Sequence, residues 1–91
     1  MDTITVWMKI DDDRVLGSLQ EASEKLDSAD GEVMLDFSSV RRMDSSGLKA
    51  AEQFATAAEQ KKVKVVLRGV APEVFKVLRL VNLSSRFSFV N

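Results

Sequence analysis

The stretch "MLDFSSVRRMDSSGLKA", residues 34–50, contains the passage from a buried strand into a helix. Its first residues belong to the apolar run "EVMLDF" (32–37), which has strand length and no clean alternation. Such a run is typical of a strand that is buried on both faces. Downstream, apolar residues recur at helical spacing and predict a helix over 45–60. A strand, a polar loop and a helix in this order favour an α/β fold.

The same alternation of strands and helices extends outward in both directions. The predicted strands are 3–10, 32–37, 63–67 and 86–90, and the predicted helices are 13–28, 45–60 and one that starts at Pro72. The acids of 11–13 are expected to supply the N-cap of the first helix. The order β-α-β-α-β-α-β predicts one domain over residues 1–91 with a largely parallel sheet and right-handed crossovers.

Composition excludes several kinds of site. The 91 residues include no cysteine and no histidine, which removes disulfides, thiolate nucleophiles, the usual zinc ligands and any Ser-His-Asp triad. We therefore expect neither an enzyme nor a metal or cofactor site. The 45% of hydrophobic and 30% of charged residues are ordinary for a globular protein.

The charge and hydropathy of the sequence limit the classes of partner that we expect. The formal net charge is −1, and the nearest feature to a nucleic-acid-binding stripe is the set Lys61, Lys62 and Lys64 beside a strand. We interpret these lysines as a solvated helix end and strand entry, the alternative being a phosphate-binding patch. No apolar run approaches the roughly 20 residues needed to span a bilayer, and the N-terminus lacks a signal-peptide pattern. The sequence therefore predicts a cytoplasmic protein without nucleic-acid partners or membrane insertion.

The loop over 38–47 is the candidate site, because ligands and partners of open α/β sheets meet the loops after the strands. One interpretation is structural: Asp44 or Ser45 caps the helix, and Gly47 lets the backbone approach a neighbouring strand. The other is that a serine here is phosphorylated, which would add about −1.5 to −2 charges to an exposed loop. Asp36 is expected to order the loop by accepting backbone hydrogen bonds.

The quoted stretch resembles the signature of the STAS domain, the fold of bacterial anti-sigma factor antagonists. The matching residues are Leu35, Asp36, Phe37, Ser38, Val40, Asp44, Ser45, Ser46, Gly47 and Leu48. The resemblance continues through "VKVVLRGVAPEVFKVLRLVNL" (63–83). It implies a small mixed, mostly parallel sheet with helices mainly on one face, and a role in binding proteins rather than in catalysis.

The resemblance also implies a partner and a switch. Antagonists of this kind bind an anti-sigma factor that is also a serine kinase, and the kinase inactivates them by phosphorylating the serine after the aspartate, here Ser45. The implied partner-binding residues are Arg41, Arg42, Met43, Asp44, Ser45, Ser46, Gly47 and Lys49. Asp36 and Ser38 are the implied loop-ordering residues.

Two departures from the family pattern leave alternatives open. The pattern is shortened at both ends, since the family usually has a hairpin before the first helix and often a closing helix; a partner or a second copy could cover the exposed faces. Arg41 and Arg42 are also unusual, and either pair with Asp36, Asp44 or a phosphate or remain exposed. A branch with basic residues near this place is the STAS subunit of bacterial phospholipid-transport ABC systems. That subunit docks on the ATPase, and phosphorylation is then not required.

Overall fold

Parallel strands joined by helices make up the computed structural model, which describes residues 5–29 and 31–90. The strands are β1 (Thr5–Lys9), β2 (Glu32–Asp36), β3 (Lys64–Arg68) and β4 (Ser88–Val90). The helices are α1 (Val15–Glu24), α2 (Ser45–Gln60) and α3 (Pro72–Leu80). Single 3-10 turns cover Asp12–Arg14, Leu26–Ser28 and Ser84–Arg86.

The sheet has the strand order β1-β2-β3-β4, and each neighbouring pair is parallel. Each crossover connection therefore leads to the adjacent strand, always on the same side of the preceding one. Because such crossovers are right-handed, α1, α2 and α3 lie on the same face. The predicted α/β class, with its small sheet and helices on one face, is confirmed. All strand pairs in the described part of the chain are parallel, whereas the resemblance implied a mixed sheet.

Side-chain alternation divides the sheet into a packed face and an open face. The packed face contributes Val33, Leu35, Val65 and Leu67 to the core, where they meet Phe54, Ala22 and Leu78 of the three helices. The open face carries Trp7, Met34 and Val66 in one register row. Trp7 is 54% exposed, so nothing among the described residues covers the β1 side of this face.

The structure corrects the predicted boundaries of α1. The helix is shorter than the predicted 13–28, because 3-10 turns precede and follow it. The prediction that the acids of 11–13 cap it was wrong: Arg14 occupies the N-cap and makes no side-chain cap bond. Asp12 instead accepts the Arg41 N–H at 2.8 Å, which ties the start of α1 to the loop after β2.

The last strand is also shorter than the predicted 86–90. Arg86 lies in a 3-10 turn, where its guanidinium donates to both carboxylate oxygens of Glu59 and to Thr56 Oγ1. This fork holds the turn before β4 against α2. For β1, the predicted residues 3–4 lie outside the described part of the chain.

Candidate functional site

The loop after β2 begins with a tight turn around Asp36. The Asp36 Oδ1 accepts the Ser38 N–H at 2.9 Å, and Val40 N–H donates to the Phe37 carbonyl at 2.9 Å. Phe37 and Val40 are both 1% exposed and anchor the turn in the core. The loop therefore leaves the sheet in a fixed direction.

Asp36 is buried, yet its environment favours the charged form. Hydrogen bonding from the Ser38 side chain is the largest influence and lowers the pKa of Asp36, and burial acts in the opposite direction. The Ser38 N–H and the positive charges of Arg68 and Lys9 lower the pKa further. The Arg68 guanidinium lies 4.0 Å from Asp36 Oδ2.

A pH dependence of stability follows from this environment. A carboxyl whose pKa is lowered by folding stabilises the native state above its unfolded value, about 3.9, and loses that contribution as the pH falls through its folded value. The Asp36→Asn variant keeps an oxygen acceptor but loses the charge. We expect its free energy of unfolding near neutral pH to be about 1 kcal/mol lower than that of the wild type. This difference should shrink below about pH 4 in urea titrations; a constant difference would contradict the assignment.

The second part of the loop is the start of α2. Asp44 is the N-cap, and its Oδ1 accepts the Gly47 N–H at 2.9 Å. Of the two capping candidates, Asp44 therefore has the role. Ser45 and Ser46 follow as the first two helical residues, whose N–H groups have no acceptor within a helix. Both serines are exposed.

Gly47 marks a close approach, but not to a strand as expected. A Cβ at this position would lie 3.3 Å from Val15 Cγ1 and 3.5 Å from Met43 Cε. Val15 is the first residue of α1, so the glycine allows the starts of α1 and α2 to meet. Met43 is 8% exposed and holds the loop down beside them.

The two helix starts border an open cleft of about 590 Å³. One wall is residues 12–17, and the other is residues 42–44 with Ser46. Both walls carry charge of both signs, with Asp13 and Arg14 on the first and Asp44 and Arg42 on the second. Ser45 is exposed beside the cleft but does not line it. Within residues 5–29 and 31–90, no cluster of three or more acids could hold a metal ion.

The predicted partner-binding residues divide into an exposed set and a buried pair. Arg41, Arg42, Asp44 and Lys49 are exposed around the serines, whereas Met43 and Gly47 are buried beneath them. The arginines do not pair with Asp36 or Asp44; in the described part of the chain neither guanidinium forms an ion pair. Both guanidinium groups are therefore exposed positive charges on the loop.

Sequence reasoning missed two contributors to this region. Arg68 forms an ion pair with Asp36. The pairing of β2 with β3 places these two residues opposite each other, so the strand register would have predicted the contact. The start of α1 forms a wall of the cleft, although it precedes the loop by about 30 residues in the sequence. No local sequence pattern predicts that the start of α1 lies beside this loop.

Comparison with a family model gives a match to nearly the whole chain. The model described as Mlab, STAS domain matches residues 10–90. No curated protein sequence matches the chain. Among the described residues, no helix combines the length and the apolar character needed to cross a membrane.

Solved structures share the fold at low sequence identity. The STAS domain of a SulP transporter from Vibrio cholerae has a TM-score of 0.80 and 14% identity, covering 99% of this chain and 76% of that one. A Thermotoga maritima protein assigned as an anti-sigma factor antagonist has a TM-score of 0.76 and 15% identity, covering 99% and 83%. The anti-sigma factor antagonist SpoIIAA, in its unphosphorylated form, has a TM-score of 0.67 and 18% identity, covering 96% and 76%.

Proposed function

The chain belongs to the STAS domain family, and from this premise we propose that it is a non-enzymatic regulatory module that binds a partner protein in the cytoplasm. In this proposal it is an anti-sigma factor antagonist, and its partner is an anti-sigma factor that is also a serine kinase. The kinase phosphorylates Ser45 and thereby ends the complex.

The observation that carries the proposal is the geometry of Asp44 and Ser45. Asp44 is held as the N-cap by its bond to the Gly47 N–H, so Ser45 is fixed at the first helical position with its side chain exposed. A kinase needs an accessible hydroxyl group, which Ser45 provides. The cleft between the starts of α1 and α2 lies beside this serine. The site thus offers an accessible serine next to a concave surface for the partner.

Phosphorylation here would change the surface more than the fold. A phosphate at the first turn of a helix is favoured by about 0.3–1 kcal/mol through the helix dipole, while the neighbouring carboxylate of Asp44 opposes it. Ser45 makes no side-chain hydrogen bond in the described structure that phosphorylation would break. The added charge of about −2 would instead offset the two positive charges that Arg41 and Arg42 place on the loop.

The test is capture of partners by the full chain as wild type and as Ser45→Asp. We expect Ser45→Asp to bind the captured kinase at least tenfold more weakly, which corresponds to about 1.4 kcal/mol. Ser85→Asp, at an exposed serine of the turn before β4, makes the same charge change elsewhere and should bind as the wild type does. The captured kinase, supplied with ATP, should phosphorylate the peptide that contains Ser45, as read by mass spectrometry, and should leave Ser45→Ala unmodified.

A second candidate function rests on the exposed guanidinium groups of Arg41 and Arg42. Their lack of ion pairs within the described structure suits docking on an acidic surface. In this second proposal the chain is a regulatory subunit that docks on the ATPase of a bacterial phospholipid-transport ABC system. The same capture experiment separates the two functions. An ABC ATPase bound equally by the wild type and Ser45→Asp, and lost when Arg41 and Arg42 are both replaced by glutamate, would favour the docking role and reject the switch.

A further inference from the structure

The outer edge of β1 is unpaired in the described part of the chain. Among the described residues β1 pairs with β2 alone and forms one edge of the sheet. Along such an edge, backbone N–H and C=O groups point outward and can pair with another strand. β1 provides five residues for this, whereas the opposite edge strand, β4, provides three.

The side chains of residues 6–9 in β1 do not protect this edge. Val6 and Met8 pack against the core but are only partly buried. On the open face, Trp7 is 54% exposed and Lys9 is also exposed. Natural edges are usually protected by proline, bulges or several charges, and the strand "TVWMK" has one lysine only. An added strand would cover the outer side of its apolar residues.

We propose that β1 pairs antiparallel with β1 of a second copy of this chain, about a two-fold axis that passes through Trp7. A two-fold axis normal to the sheet makes the pairing antiparallel and self-complementary. Trp7 then lies opposite Trp7 of the second copy, Val6 opposite Met8, and Lys9 opposite Thr5. Apolar residues meet apolar residues, an aromatic pair forms at the centre, and no like charges face each other.

The dimer has a defined geometry. The two sheets join into one of eight strands, twice the four in the described chain. Because β1 runs in opposite directions in the two copies, the carboxyl ends of the strands point to opposite edges. The two loops with Ser45 therefore lie far apart and both remain free for partners. The surface contains none of the residues of the proposed phosphorylation site, so this inference stands independently of it.

The pairing predicts a charge-swap result at Trp7, the only tryptophan of the chain. Wild type should form dimers, whereas Trp7→Lys and Trp7→Glu, each of which places like charges opposite each other, should dimerise at least tenfold more weakly in sedimentation equilibrium. An equimolar mixture of the two variants should regain the dimer, and native mass spectrometry should show it as a heterodimer. Leu80→Lys, at a residue that is 73% exposed on α3, should leave the dimer unchanged.

Three results would overturn the proposal. The first is a wild type that stays monomeric up to about 1 mM, a concentration at which a complex of about −4 kcal/mol is well populated. The second is a Trp7→Lys variant that dimerises as the wild type does. The third is a mixture of Trp7→Lys and Trp7→Glu without heterodimers. Circular dichroism of each variant alone checks that the exposed substitution leaves the fold intact.

Discussion

The Phe54→Ala variant is expected to lose about 3–5 kcal/mol of unfolding free energy, the largest effect of any change considered. Phe54 is 2% exposed at the middle of α2. The other buried residues of this helix are all small: Gly47, Ala50, Ala51, Ala55 and Ala58. The phenyl ring is therefore the one large side chain of α2 that is buried, since Leu48 packs against the core only in part. Its removal leaves a cavity that the neighbouring alanines cannot fill.

The measurement is urea unfolding followed by circular dichroism at neutral pH. Gln53→Ala changes the exposed neighbour on the same helix and should shift the free energy by no more than about 0.5 kcal/mol. Domains of this size are stable by about 5–15 kcal/mol, so Phe54→Ala should bring the protein close to its unfolding threshold. A loss below about 1 kcal/mol would show that α2 is not held to the sheet through Phe54.

The position of α2 could be predicted from the sequence, because its signals are local. The N-cap Asp44, the apolar spacing after Leu48 and the polar end at Lys61 all lie within the segment itself, and the helix runs over the predicted 45–60. The parallel α/β order was predictable for the same reason, since each strand and each helix has its own pattern. Local signals also place the exposed serines of the loop next to the cap.

The parts that were mispredicted depend on distant contacts. The start of α1 differs because a 3-10 turn over Asp12–Arg14 precedes it, and in this turn Asp12 accepts the N–H of Arg41, 29 residues away. Gly47 approaches Val15 of α1 and not a strand, which only the packing of the two helices determines. The fork from Arg86 to α2 holds the chain in a turn where the apolar spacing had predicted a strand.

Gly69→Ala is expected to have the second largest effect, a loss of about 2–4 kcal/mol. Gly69 follows β3 with a φ of +69°, a left-handed conformation that costs other residues about 1–2 kcal/mol. The added methyl carbon would also lie 3.0 Å from Ser38 Cβ and 3.3 Å from Ser38 Cα. Because one of these atoms is backbone, a rotamer change of Ser38 cannot relieve the contact.

This substitution also tests how the site is held. Ser38 is the residue whose N–H bonds to Asp36, so a displaced Ser38 weakens the turn that directs the loop toward Asp44 and Ser45. Gly17→Ala is the matched control: its Cβ meets only the flexible Arg14 side chain, at 3.4 Å, and should stabilise α1 by about 0.5–1 kcal/mol. Urea unfolding of both variants, with amide exchange at Ser38, measures the contrast. Gly69→Ala could instead prove as stable as the wild type, with the same protection of the Ser38 amide against exchange. The end of β3 then does not support the loop, and the site depends on the cap of α2 alone.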